Sequence, residues 1–224
     1  MSITNVATYA AMPVAAYLCG AIPFGVLIAR ARGVDLRKQG SGNIGATNVA
    51  RALGRKYGYL CFALDVLKGL LPVLLAGRLV HAMHQGVPTA AVQGAWLAVG
   101  VGAVLGHVFS VFVGFRGGKG VATSLGVVLG FYPYLTPAGL AAFVIWIACA
   151  LIWRYVSLAS IVAVTAFPLL FAGSCVLLGW PLGRLWPLLA FAAAMAVLVV
   201  VRHRANIGRL LNGTESKIGS PRPR

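Results

Sequence analysis

Acidic side chains are scarce in this sequence. Its 224 residues include three, Asp35, Asp65 and Glu215, against 19 lysines and arginines, which leaves a formal net charge of +16. None of the three lies in a Gly-x-Ser-x-Gly-type setting, so the sequence offers no hydrolytic triad. The histidines, cysteines and carboxylates form no group with metal-ligand spacing, and we therefore expect neither a metal site nor another cofactor.

Charged residues of either sign make up only 10% of the chain, whereas 60% of it is hydrophobic. A soluble domain usually has roughly a quarter of its residues charged, and no such domain fits between the apolar runs. The first run has no Lys or Arg before it and continues into a polar loop, unlike a cleavable signal. The four cysteines are single, without disulfide or metal spacing, and are expected to be packing residues: Cys19, Cys61, Cys149 and Cys175.

Apolar runs of about 17 to 25 residues recur along the whole length and predict an all-α, polytopic membrane protein. The uncharged stretch 121–153 would form a helix about 50 Å long, against a hydrocarbon core of about 30 Å. Pro133 and Pro137 bracket a break that divides it in two, and Pro13 and Pro23 are expected to kink the first span. The seven predicted spans are 6–29, 58–80, 90–113, two within 121–153, 157–180 and 185–201.

The basic residues support the count of seven. With seven spans, the loops 30–57, 114–120 and 154–155 and the tail from 202 share one side, which holds 16 of the 19 lysines and arginines. Six spans would put the basic tail opposite the basic first loop, against the positive-inside rule. We therefore predict an outside N-terminus, a cytoplasmic C-terminus, one domain over 1–224 and a flexible tail at 213–224.

The partners follow from where the cations lie. They occur at the ends of apolar runs and form no single polar module, which argues against nucleic acid. Anionic lipid headgroups and an anionic substrate are the expected partners.

The first basic loop contains Ser-Gly-Asn-Ile-Gly-Ala-Thr-Asn at 41–48. Its two glycines permit unusual backbone conformations, and Thr47 or Asn48 could cap a helix that starts there. Exposed N–H groups at a helix start, with hydroxyls, amides and Arg51, would form a phosphate receptor. The alternative is a glycine-rich turn and helix cap without a ligand.

A second loop reads Gly-Gly-Lys-Gly at 117–120 and again leads from glycines into a helix. Lys119 would act as a point charge for a phosphate. The loop does not satisfy the Walker pattern. The alternative is a tight turn whose lysine binds a lipid headgroup.

A third polar segment, 202–217, follows the last span. At helical spacing, Arg202 and Asn206 share a face, as do His203 and Asn206. A positive-inside stop would explain the arginines, but it does not explain Asn206 or Glu215.

Charges also occur inside the second span. Asp65 is expected about 10 Å deep, with Lys68 one turn further on. Intramembrane charges usually face the protein interior or a cavity, and we expect a mutual ion pair that supports the first loop. For His107, in the third span, we expect a structural hydrogen bond to a neighbouring helix.

These motifs, in this order and on one predicted side, resemble those of the PlsY family, the bacterial membrane acyl-phosphate:glycerol-3-phosphate acyltransferases. The resemblance covers nearly the whole chain and includes Ala-Leu-Asp-Val-Leu-Lys-Gly at 63–69. The His-x-x-x-x-Asp signature of the common glycerolipid acyltransferases is absent, because none of the four histidines has Asp five positions on.

The resemblance implies acyl transfer from acyl phosphate to the 1-hydroxyl of sn-glycerol 3-phosphate at the cytoplasmic face of the bacterial inner membrane. The implied products are lysophosphatidic acid and inorganic phosphate, and acyl-CoA is not the family's donor. The acyl tail would lie between membrane helices, and the donor's own phosphate would accept the hydroxyl proton.

The resemblance also implies roles for individual residues. Five are predicted to be catalytic: Ser41, Arg51, Lys119, His203 and Asn206. Ser41, Arg51 and Lys119 would hold phosphate, Asn43, Thr47 and Asn48 would shape the first loop, and His203 and Asn206 would position glycerol phosphate. Gly118 and Gly120 would admit close backbone approach, and the substrate-binding set is completed by Gly42, Gly45, Thr123, Glu215 and Lys217.

A transporter for an organic phosphate is the alternative from another class, because paired glycine-rich breaks at helix ends are typical of transport sites. Transport sites lie near the bilayer midplane, whereas these motifs gather at one face. A purely structural membrane protein would leave the cluster of Asn, Thr, Lys and His unexplained. The oligomeric state stays open.

Overall fold

A computed structural model describes residues 3–83 and 86–219, which form helices and connecting loops without a strand. Two short 3₁₀ turns, Leu36–Lys38 and Val111–Val113, lie in the loops. The ten α-helices of the described residues are α1 Ile3–Ala21, α2 Phe24–Arg30, α3 Ala46–Leu53, α4 Arg55–Met83, α5 Ala90–Val108, α6 Val121–Gly130, α7 Thr136–Trp153, α8 Val156–Leu177, α9 Trp186–Arg202 and α10 Arg204–Leu211.

The predicted all-α membrane architecture is confirmed in its broad outline. Among the described residues, five helices are long and apolar enough to cross a membrane, and a sixth span arises if α9 and α10 count as one. The α6 helix is apolar but shorter. Large apolar side chains such as Leu169 and Leu177 point outward, where lipid rather than water is the favourable neighbour.

Prolines mark the breaks that the sequence predicts. Pro23 separates α1 from α2, whereas Pro13 is accommodated inside α1. The uncharged stretch divides between α6 and α7, with Pro137 in the first turn of α7, where its missing N–H costs no hydrogen bond. Each break therefore follows from a backbone group that proline cannot supply.

Small residues hold the helices close together. A Cβ on Gly102 or Gly106 of α5 would overlap the backbone of α1, at the carbonyl oxygens of Pro13 and Tyr17 respectively. In lipid, where the hydrophobic effect between helices is absent, such close backbone packing is a main source of helix association. The arrangement brings the end of α5, and with it the second loop, beside the break after α1.

We expect Gly102→Ala to lower the thermal unfolding midpoint in detergent, because the added methyl overlaps the Pro13 carbonyl. Overpacking costs about 1–3 kcal/mol, which corresponds to a fall of roughly 5 °C. Gly94→Ala is the matched control on the same helix, since no atom lies within 4 Å of its added Cβ. Equal midpoints for the two variants would contradict this account of the packing.

Candidate functional site

Asn48 organises the first loop. Its side-chain oxygen accepts a hydrogen bond from the Ser41 amide at 3.2 Å. Its nitrogen donates to the carbonyl oxygens of Leu36, Gln39 and Asn43 at 3.2, 2.9 and 2.8 Å. Because these donors are engaged within the loop, Asn48 fixes the loop's shape rather than offering its amide to a ligand.

The helix after this loop begins at Ala46, with Gly45 as its N-cap residue and no side-chain cap. The expectation that Thr47 or Asn48 caps the helix is therefore wrong. Asn48 lies inside the first turn and reaches back into the loop, while Asn43 accepts the Gly45 amide at 2.9 Å. On the loop itself Ser41 is exposed, and Thr47 is half-buried.

The glycine loop 117–120 folds back onto the end of α5. The Gly117 and Gly118 amides each donate at 3.1 Å, to the carbonyl oxygens of Val108 and His107. A Cβ on Gly118 would overlap the His107 ring, and Gly120 has a φ of +87° that L residues rarely adopt. Lys119 is thus held between two positions that require glycine.

The first turn of α6 has the features of an anion receptor. Gly120 is its N-cap residue and supplies no side chain, so amides at the helix start have no capping partner from it. The fully buried Thr123 hydroxyl in this turn has no hydrogen-bond partner among the described residues. A buried unpaired hydroxyl at a helix N-terminus favours an anion as the missing partner.

Lys119 joins the second loop to the third polar segment. Its ammonium donates to Asn206 Oδ1 at 2.5 Å, and Arg202 Nη2 donates to the Gly118 carbonyl at 3.0 Å. The helix bends by 59° between α9 and α10, so the interpretation of one continuous helical face through 202–206 is wrong. The bend lets Arg202 and Asn206 approach the glycine loop from two directions.

The Glu215 carboxylate accepts hydrogen bonds from three protein donors. One oxygen accepts from Ser157 Oγ and Asn206 Nδ2, both at 2.7 Å, and the other accepts from Arg209 Nε at 2.6 Å. Burial by itself raises the pKa of Glu215, but the three hydrogen bonds outweigh it and hold the pKa below its usual value. Glu215 is therefore a fixed negative charge whose oxygens serve the protein's own donors.

Positive charge exceeds negative charge around Lys119. Burial lowers the pKa of Lys119 to about 8; the charge of Glu215 opposes this, whereas three arginines lower the pKa further: Arg209, Arg51 and Arg202. Four cations therefore face one carboxylate, an excess of three positive charges. Positive charge in such excess favours an anionic ligand.

His203 lies buried at the bend between α9 and α10. Its Nδ1 is 2.7 Å from the Val199 carbonyl oxygen, which can only accept, so the ring proton is on Nδ1 and Nε2 keeps its lone pair. Burial lowers the pKa of His203 to about 4, so the ring is neutral at pH 7. It can accept a hydrogen bond from a hydroxyl, but it is a weak base.

The segment after α10 returns along the bundle. Arg51 donates to the Ser216 carbonyl at 3.4 Å, and Ile218 exchanges hydrogen bonds with Arg154. The Lys217 ammonium lies 5.5 Å from the centre of the Tyr155 ring. These contacts involve part of the segment 213–224; its flexibility stays a prediction, and 220–224 lie outside the described residues.

Two side chains of the site carry too weak a sequence signal to be singled out. Ser157 follows the turn between two predicted spans and belongs to no motif, and Arg209 resembles any positive-inside arginine. The sequence signal for both is a position on the predicted cytoplasmic side, and Arg209 alone is near Glu215 in sequence, six residues before it. The residues that the contacts bring together are Arg51, Lys119, Arg202, Asn206, Arg209 and Glu215, with Ser157.

Known proteins resemble this chain over most of its length. A family profile described as glycerol-3-phosphate acyltransferase matches residues 10–213. The glycerol-3-phosphate acyltransferase of Aquifex aeolicus is 46% identical over 205 residues, 90% of this chain and 95% of its own. That of Geobacter sulfurreducens is 47% identical over 203 residues, 90% of this chain and 93% of its own.

Two solved structures are also similar to this chain. A crystal structure of PlsY, an integral membrane glycerol 3-phosphate acyltransferase, in its glycerol 3-phosphate form has a TM-score of 0.79 and 43% identity. It covers 95% of this chain and 96% of the solved one. The lysophosphatidic acid form has a TM-score of 0.77 and 42% identity over the same shares.

Proposed function

This chain belongs to the PlsY family of glycerol-3-phosphate acyltransferases, and from that premise we propose that its acyl donor is an acyl phosphate. The acyl group moves to the 1-hydroxyl of sn-glycerol 3-phosphate. The products are lysophosphatidic acid and inorganic phosphate, in the first acylation of phospholipid synthesis.

The observation that carries this proposal is the excess of cations around Lys119. Both proposed substrates bring a phosphate, and two phosphates fit a site where four cations face one carboxylate. Ser41, Arg51 and Lys119 hold phosphate in this proposal, and the glycine backbone at 118 and 120 lets a phosphate approach the start of α6. The donor's tail lies among the apolar helices.

The chemistry needs little from the protein beyond charge and position. The 1-hydroxyl oxygen attacks the acyl carbon, the bond from that carbon to the phosphate oxygen breaks, and the hydroxyl proton leaves on the phosphate. His203 accepts a hydrogen bond from the hydroxyl and orients it. Because the pKa of His203 is low, the ring does not take the proton, which goes to the phosphate. Lys119 and the start of α6 stabilise the developing negative charge.

The topology in this proposal has seven spans, an outside N-terminus and a site that opens to the cytoplasm of a bacterial inner membrane. The support is the distribution of charge, since 16 of the 19 lysines and arginines then lie on the side of the site. The shorter α6 serves as the fourth span.

An assay with two different acyl donors distinguishes this reaction from its alternatives. Purified protein in lipid receives labelled glycerol 3-phosphate with palmitoyl phosphate or, separately, with palmitoyl-CoA. We expect labelled lysophosphatidic acid from palmitoyl phosphate alone. Product from palmitoyl-CoA alone would contradict the proposal that acyl phosphate is the donor. Label accumulating inside sealed vesicles without product would favour a transporter.

We expect Lys119→Ala to lower kcat/KM about 100- to 1,000-fold, because loss of one preorganised donor at developing charge has effects of this order. The variant should still insert and fold, as checked by a single symmetric peak in size-exclusion chromatography. Lys56→Ala is the matched control, since Lys56 is an exposed lysine on the first turn of α4. Near-normal activity of the Lys119 variant would remove the argument for the second loop.

The activity should depend on the charge of Lys119. Its pKa of about 8 means that the ammonium is present below pH 8 and is lost as the pH rises through that value. We expect kcat/KM to fall above pH 8, and kcat to fall only at higher pH because a bound phosphate stabilises the ammonium. Lys119→Arg, which stays charged, should lack this falling limb, and a limb near pH 8 in that variant would assign it to another group.

A further inference from the structure

Three ionisable side chains lie beneath the glycine loop, and the proposed reaction uses none of them. Asp65, Lys68 and His107 expose only 3%, 4% and 5% of their surfaces. Lys68 Nζ is 2.7 Å from Asp65 Oδ1, which is the predicted ion pair. His107 Nδ1 is 3.7 Å from the same oxygen, too long for the hydrogen bond predicted for this ring, so the ring packs against the pair without hydrogen-bonding to it. Burying such charges in a membrane protein costs free energy, and buried charges of this kind usually serve a function.

The lysine of this trio reaches the break in the first span. Lys68 Nζ donates to the Ile22 carbonyl at 2.8 Å, and the buried Ser110 hydroxyl donates to the Ala21 carbonyl at 2.5 Å. These carbonyls lie at the end of α1, where Pro23 cannot continue the hydrogen-bond ladder. Lys68 is therefore anchored on two sides, by the Asp65 carboxylate and by the carbonyl end of α1.

The histidine of the trio faces the second loop. The Gly118 amide donates to the His107 carbonyl at 3.1 Å, and a Cβ on Gly118 would overlap Nε2 of the His107 ring. The ring is thus wedged between Asp65 and the residue that precedes Lys119. A shift of the ring would displace the Gly118 backbone and, with it, Lys119.

We propose that Asp65, Lys68 and His107 are positioning residues for the second loop. The Asp65–Lys68 pair orients the His107 ring, and the ring holds Gly118 so that Lys119 meets the phosphate. This role rests on the proposed function of the glycine loop as a phosphate receptor. The trio acts through the loop and touches no substrate.

A double-mutant cycle tests whether the ion pair acts through the ring. The protein is reconstituted in lipid, and kcat/KM for glycerol 3-phosphate is measured with palmitoyl phosphate. Asp65→Asn/Lys68→Met removes both charges together, so neither stays buried without its partner. We expect a loss of about 10- to 100-fold, since misplacement of reacting groups by about 1 Å has effects of this order. In a His107→Ala background, the same pair of changes should cause no further loss.

Two results of the cycle would overturn the proposal. Losses that multiply in the combined variant would show that the pair acts independently of the ring, and wild-type kcat/KM in the pair variant would remove its role. If the pair variant does not yield monodisperse protein, His107→Gln and His107→Ala carry the test. The Gln amide can occupy the place of Nε2, so it should retain activity that Ala loses; equal kcat/KM in both overturns the proposal.

Gln93→Met separates positioning from general destabilisation. Gln93 is buried near the other end of α5, where Nε2 donates to the Pro88 and Arg184 carbonyls at 2.8 and 2.9 Å. This variant should lose thermal stability and keep wild-type kcat/KM per folded molecule. A loss of kcat/KM equal to that of the pair variant would overturn the positioning role. Absence of product from the wild-type protein would overturn the proposed function itself. That result differs from failure of the positioning role, which is seen only when variants are compared with an active wild type.

Discussion

The site depends on one carboxylate placed among cations. Glu215 accepts hydrogen bonds from Ser157, Asn206 and Arg209, and Asn206 in turn accepts the hydrogen bond of Lys119. A buried carboxylate needs such donors, and the donors come from α8, α10 and, through Asn206, the glycine loop. One charge therefore links parts of the chain that no continuous helix connects.

The remaining positive charge suits a reaction in which the number of phosphate groups in the site stays the same. In the proposed chemistry two phosphates enter, on the donor and on the acceptor, and two leave, one on lysophosphatidic acid and one as the free ion. The electrostatic demand on Lys119 and the arginines is therefore similar before and after acyl transfer. A preorganised set of cations meets this demand without rearrangement, which is where electrostatic catalysis is most effective.

The sequence predicts most reliably what depends on local composition. The apolar runs and the breaks at Pro23 and Pro137 follow from side-chain polarity and from the missing proline N–H, and both are found. The capping of α3 could not be predicted, because an asparagine serves equally well as a cap or as a loop brace, and only the fold decides which for Asn48. The bend at His203 and the bond from Ser157 to Glu215, 58 residues apart, depend on tertiary contacts that no short motif encodes.

The return of the chain after α10 has a consequence for the order in which the protein is made. Glu215 and Ser216, which complete the contacts of Asn206 and Arg51, follow the last membrane helix. A chain that ends between α9 and Glu215 contains the helical bundle, but Lys119 and its cations lack their common carboxylate. In the proposed chemistry, a complete site is therefore acquired only late in biosynthesis.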